Sequence, residues 1–420
     1  MPSFVPLGIA DYSGNSERGF VQFTYQIADN NAKELTLQIR DGSSVIFEEK
    51  ITDANKLKQG EHTWKWDGFD SGGILDTAKL TQYENLNLYT IGVDSSNNYS
   101  RKKLDFSMRY DEVKWVDVKI DKNSKRVDVT LRVNLKDGGT IGTEEDCKEL
   151  IKVDHLNPGL RTSKKVCPWD KIPEKDLISG KLPIRKKTRD FKSLEELALE
   201  GVNYHWSRNK NHTVGKNIEV NGENYEVYVN AVNTTKKSMD DLDIVYNTNS
   251  FWGRSNNPGN VSTITSFFAN LAEYIPYVPL NETIYYNVGY VNNIYKYESQ
   301  LFFKKDDWEY LNPLSFYKKK SKIDRDFSYT AAHELGHTIL KAFAEKGGGS
   351  TDYSYKHKGS SGYSNTKPVS EGGENYPFRG GEIDLMKYYN RGPNYYDFDR
   401  IAASEKDVLG LLWLTKLKIK

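Results

Sequence analysis

Cysteine, methionine and net charge are all scarce in this 420-residue chain, which has two cysteines, four methionines and a formal charge of +1 from 59 basic and 58 acidic residues. Near-neutrality excludes a long-range field that would draw in nucleic acid or an anionic membrane, and basic runs such as Lys318 to Lys320 read as solvated loop charge. The longest apolar run near the C-terminus, Val408 to Leu414, is far too short to span a bilayer, so no membrane span is expected. The N-terminal MPSFVPLGIADYSG lacks a basic n-region and a small-residue cleavage site, which excludes a Sec signal peptide. Export would then need a dedicated route. Cys147 and Cys167 share a loop-like stretch without CxxC or Cys/His spacing, so no thiolate zinc site is expected. They form either one disulfide, if the compartment is oxidising, or two free thiols.

What is present is a soluble, strand-rich composition, with 37% hydrophobic residues and 28 tyrosines. The length favours two domains in an α+β chain. From Gly19 to about Arg109, alternating runs such as FVQFTYQI, ELTLQIRD and LNLYTIGVD are broken by Asp, Gly, Ser and Asn, which predicts an antiparallel β-sandwich over residues 1–110. GEHTWKWDGFDSGG, followed by LNLYTIGVDSSNN, resembles the immunoglobulin-like module of FlgD-type proteins. That resemblance implies a docking or spacer role for this part.

A second domain is expected over residues 111–420. VKWVDVKID and KRVDVTLRVNL read as a two-strand ladder, and a polar, lysine-rich, loop-rich insertion follows at about 137–192. Ser193 to Trp206 reads as an amphipathic helix with Ser193 as N-cap and Glu196 completing a capping box. Asn221-Gly222 between alternating runs predicts a hairpin, and Ser404 to Ile419 a capped helix with a strand-like or frayed end.

HELGH, His333 to His337, is an HExxH pattern. At about 100° per residue on a helix, the two histidines project from nearly one face, one turn apart, where both imidazoles can reach one ion. Glu334, one step round, is placed to take a proton from a metal-activated water. Bare HExxH also occurs on inert helices, so its context decides. Asp326 or Ser328 can cap the helix, Ala332, Ile339 and Phe343 form a packing stripe, and Lys346 before Gly347 to Gly349 ends it. The histidines are then expected at the margin of the buried side, toward a cleft. Gly336 inside the helix costs about 1 kcal/mol relative to alanine, which close approach of a neighbouring strand or a substrate would explain.

Catalytic zinc usually takes three protein ligands and keeps a fourth position open. The metzincin continuation is excluded, because Leu340 and Phe343 stand where glycine and histidine would be needed. Asp352, His357 and Glu382 are the candidates for a third ligand; Glu371 and Glu374 fall in a Gly/Ser/Pro-rich loop. Glu382 follows two glycines and opens the apolar run EIDLM, so it can be anchored beside the helix. Asp384 either orients a histidine through its second ring nitrogen or faces solvent.

TAAHELGHTILKA, TDYSYKHKGSS, GGEIDLMKYY and ASEKDVLGLLWLTK, in this order, resemble the C-terminal metallopeptidase extensions of type VI secretion spike (VgrG) proteins and related toxins. The resemblance implies a zincin-type domain, with a mixed sheet and an active-site helix. It implies a gluzincin-like set in which His333, His337 and Glu382 bind Zn2+ and Glu334 is the general base. His357 could stabilise an oxyanion, support Glu382 from behind, or fix a loop, and Tyr353, Tyr355 and Tyr388 are further oxyanion candidates. No spike repeat is recognisable, which leaves a separate effector or a piece of a larger spike protein.

The function expected is a zinc metallopeptidase acting as a secreted toxin in a target-cell periplasm, on a protein or on peptidoglycan stem peptides. Spike components and a cognate immunity protein are the expected partners. The alternative is a noncatalytic, zinc-containing binding protein of a secretion apparatus.

Overall fold

Alternating apolar and polar residues in the first hundred positions give short antiparallel strands, one face in and one face out. The computed structural model describes residues 2–153, 159, 161–253, 255, 257, 282–292, 308–312, 323–347, 381–386 and 398–420. In it Val21–Ile27 pairs with Gly60–Trp66, and Glu34–Asp41 lies between Ser44–Lys50 and Leu86–Val93, with Tyr99–Asp105 on the outer edge. The two sheets meet at Trp64, whose ring stacks on Phe23 at 5.7 Å and lies 6.2 Å from Phe47 on the facing sheet. This is a two-layer antiparallel sandwich.

The sandwich shares backbone hydrogen bonds with the rest of the chain. Ser3–Phe4 and Met108–Tyr110 flank the last strand, Leu417–Ile419, in one three-stranded sheet. The central sheet is built from Ile74–Asp76 (β1), Val116–Asp121 (β2), Arg126–Ile141 (β3), Ile218–Val220 (β4), Glu223–Asn233 (β5), Asp241–Asn247 (β6) and Thr283–Asn287 (β7). Its order is β4-β5-β3-β2-β1, and the second half of β3 carries β6, which carries β7. The β2–β3 and β4–β5 pairs are antiparallel, while β5, β6 and β7 join by parallel pairing. The whole is α+β with a mixed sheet. Asn221 and Gly222, at φ 54° and 79°, make the two-residue turn between β4 and β5 that their sequence predicts.

Among the described residues three helices cover the sheet: Phe191–Trp206 (α1), Ile323–Lys346 (α2) and Glu405–Trp413 (α3). The cap of α1 is Asp190, whose carboxylate accepts from the Ser193 amide at 2.8 Å, so the helix starts two residues before the expected Ser193 cap. The Ser193 hydroxyl instead accepts from Arg189 Nη1 at 3.0 Å. Ser404 caps α3 as expected, and the chain after α3 is a strand rather than a frayed end.

The long helix α2 begins before Asp326 and Ser328, which lie inside it and do not cap it. Its first turn is tied to the sheet through Asp324, which pairs with Arg189 and accepts from the Tyr286 hydroxyl at 2.8 Å. Ala331 through His337 are buried all the way round, as befits a helix wrapped by other elements rather than lying on a surface. The closest approach is to α1. A Cβ placed on Gly201 would sit 2.1 Å from the Ser328 carbonyl oxygen, so only glycine lets the helices cross here.

Within the stretch expected as a loop-rich insertion, the structure has an exposed antiparallel hairpin, Lys148–Val153 with Arg161–Val166, followed by turns and two short 3-10 segments, Pro168–Lys171 and Glu174–Asp176. A Cys147–Cys167 disulfide closes its base. Among the described residues no helix is long and apolar enough to cross a membrane.

Candidate metal centre

His333 and His337 come together on α2 as their spacing requires. Their ring centroids are 4.9 Å apart with the rings perpendicular, and both residues are buried, as is Glu334. Burial is deeper than the cleft margin expected, because α1 and the segment at 381–386 pack over the middle of the helix. Trp206 at the end of α1 donates its indole N–H to the Ala332 carbonyl at 3.1 Å, and Asn257 donates to the Glu334 carbonyl at 2.8 Å. These bonds hold the backbone on both sides of the motif.

His333 is oriented by a carbonyl. Its Nδ1 lies 2.7 Å from the Leu385 oxygen, which can only accept, so Nδ1 carries a proton, and in the neutral ring the lone pair is on Nε2. An orienting bond of this kind fixes the tautomer that presents Nε2 to a metal. Asp384, a candidate for that role, uses Oδ1 to accept from the Met386 amide at 2.9 Å, shaping the turn that aims its neighbour's carbonyl.

The turn itself is docked from several directions. Ile383–Asp384 pairs in parallel with Ile401–Ala402, Leu385 donates to the Ala402 carbonyl at 2.9 Å, and Arg400 donates twice to the Gly381 carbonyl. Met386 then reaches under the helix. A Cβ on Gly336 would lie 2.5 Å from Met386 Sδ and 3.0 Å from Trp206 Cζ2. Gly336 therefore makes room for two side chains of the fold, not for the strand or substrate expected from sequence.

Glu382 faces Arg208. Its two carboxylate oxygens accept from Nη1 and Nη2 at 2.9 and 2.6 Å. Among the described residues no group of three or more His, Cys, Asp and Glu side chains is gathered in a geometry that would hold a metal ion. The histidine pair is in place, and Glu382 sits in its fork with Arg208. Asp352, His357, Glu371, Glu374, Tyr353, Tyr355 and Tyr388 lie outside the described residues. The two histidines are nitrogen donors of the kind zinc takes, but the described residues do not gather a third donor with them.

Sequence reasoning passed over Arg208, His205, His212 and Trp206, all buried at or after the end of α1. His205 Nδ1 and His212 Nε2 both point at the Ile401 carbonyl, at 2.7 and 3.3 Å. Burial pulls the His205 pKa down to about 4, partly opposed by that carbonyl, and the ring is neutral at physiological pH. Only the cluster HWSRN hinted at such density of polar, aromatic and basic groups.

A separate cleft of 240 Å³ lies along another flank of α2, lined by Trp115, Leu242, Leu335, Thr338 and Ala342 among others; neither motif histidine lines it.

No family model matches the chain, and no curated protein matches it. Two crystal structures of truncated FlgD from Helicobacter pylori are similar to part of it, each at 16% identity and a TM-score of 0.15. They cover 28% and 29% of this chain and 80% and 82% of their own.

Proposed function

We propose that the chain is a zinc-dependent metallopeptidase of zincin type, with His333 and His337 as two of the ligands and Glu334 as general base. One observation carries the reading: His333 is fixed by the Leu385 carbonyl in the tautomer that ligates through Nε2, one turn from His337 and next to a buried carboxylate. Two inert surface histidines would need no such support.

When bound, zinc would acidify a water and polarise a carbonyl. The chain's own residues do the rest. Glu334 takes and returns the proton, and a site closed over by α1 and the 381–386 turn limits bulk water around that carboxylate. Glu382 is the third ligand on the resemblance to spike-borne metallopeptidases, with Asp352 and His357 as alternatives and His357 otherwise an oxyanion or supporting group.

In the same reading the N-terminal sandwich is an immunoglobulin-like, FlgD-like spacer or docking module, and the protein is a secreted effector delivered by a type VI-like apparatus. Spike components and an immunity protein are then its partners. The Cys147–Cys167 disulfide supports action in an oxidising periplasm. Protein and stem-peptide substrates are separated by a cleavage screen.

The burial of His333, Glu334 and His337 favours one second reading, a noncatalytic zinc-containing binding protein. Glu334→Gln distinguishes the two. The variant should keep fold and metal and lose peptide hydrolysis by at least about 100-fold, whereas equal activity would reject the mechanism.

A further inference from the structure

Arg208 sits where the end of α1 meets the turn at 381–386, and its guanidinium is bonded on every arm. Nη1 and Nη2 hold the two oxygens of Glu382, Nη1 also donates to the Ala403 carbonyl at 2.9 Å, and Nε donates to the Asn217 carbonyl at 2.8 Å. Its main chain exchanges hydrogen bonds with Val227 of β5, at 2.9 and 2.7 Å. The fork is therefore placed by the sheet and two backbone carbonyls, and Glu382 takes its position from the fork.

We infer that Arg208 is a positioning residue of the metal centre: it sets the plane of the Glu382 carboxylate and, through the Glu382 to Met386 turn, the Leu385 carbonyl that orients His333. The inference rests on the zinc reading above. A bidentate guanidinium fixes a carboxylate in direction as well as distance, which an ammonium cannot do. Among the described residues Glu382 is not gathered with the two histidines into a metal-holding group, so the positioning reaches the centre through the turn and the Leu385 carbonyl on His333.

The direction of the effect separates positioning from bare charge. A cation beside the ligands repels a second cation, so if Arg208 acted only by its charge, neutralising it would tighten zinc binding. If it positions, its loss weakens binding.

The test uses the full chain with Arg208→Lys, which keeps charge and most of the stem, and Arg208→Gln, which loses both. Zinc affinity is measured by competition with a chromophoric chelator, and the visible spectrum of the cobalt-loaded protein reports coordination geometry. Circular dichroism identifies which variants are folded. Zinc Kd should rise about 10-fold or more in Arg208→Lys and up to about 100-fold in Arg208→Gln, with shifted cobalt bands in both. Unchanged or tighter binding with an unchanged cobalt spectrum in either folded variant overturns the role of Arg208 alone. A wild-type chain that takes up neither zinc nor cobalt overturns the metal reading, and the role of Arg208 with it.

Discussion

The Leu385 carbonyl oxygen lies 2.7 Å from Nδ1 of His333, although 52 residues separate the two in sequence. That one bond makes Nδ1 the donor and, in the zinc reading proposed above, leaves Nε2 as the nitrogen that would ligate. In that reading the turn at 381–386 belongs to the centre whether or not Glu382 itself binds metal.

Replacing Glu382 separates those two roles. Glu382→Ala should lose most of the bound zinc, measured as metal content after desalting, because a ligand and the anchor of the turn go together. Full retention would move the third-ligand role to Asp352 or His357.

Two glycines make contrasting predictions. Gly201→Ala forces a Cβ against the Ser328 backbone at 2.1 Å, where neither helix can yield locally, and should destabilise by about 1–3 kcal/mol or more in urea unfolding. Gly336→Ala meets mainly the flexible Met386 side chain, and helix propensity returns up to about 1 kcal/mol, so its net effect should be clearly smaller. Equal losses would contradict the packing described.

Among the groups on which acid stability should depend, His205 and Asp326 are opposed. His205, at about 4 in the fold, stays neutral while the unfolded chain takes a proton below about 6.5, so its contribution is present above that pH and is lost as pH falls toward 4. Asp326 is pushed up to about 6 by desolvation, so its contribution is present below about pH 4 and is lost as pH rises through 6. Asp326 keeps part of its surface in water, which makes its opposing contribution the smaller. In Asp326→Asn the His205 slope, at most about 1.4 kcal/mol per pH unit, and the same-signed contribution of His212, whose pKa burial also lowers, lose this opposition. The urea midpoint of this variant should therefore drop further than that of the wild type between pH 7 and 4.5. Parallel profiles would contradict the assignment.

The disulfide closes an exposed hairpin rather than the core, so its removal should act locally. Cys147→Ser with Cys167→Ser should leave the main melting transition nearly unchanged while trypsin cuts within 148–166 much faster, at Lys152 or Lys164 for example. A large drop in the main transition would show that the hairpin supports the body of the protein.

How much of this was legible beforehand depended on range. The Asn221-Gly222 turn, the β2–β3 ladder and the Ser404 cap are local chemistry, and the structure repeats them. The HExxH geometry is equally local, since helix pitch alone sets the spacing of His333 and His337. Cap positions erred by a few residues where an equally good group lay upstream, as Asp190 does for Ser193. Arg208 was invisible, because nothing in a polar loop signals a carboxylate 174 positions away. Gly336 was misread for a similar reason: a sequence shows that room is needed, but not that Met386 and Trp206 fill it.

X-ray absorption at the zinc edge of the purified chain tests the central claim most directly. The account predicts bound zinc with imidazole nitrogens at about 2.0–2.1 Å, a carboxylate or water oxygen at about 2.0–2.2 Å, and no sulfur. A chain without zinc, or a spectrum without imidazole scattering, would contradict it.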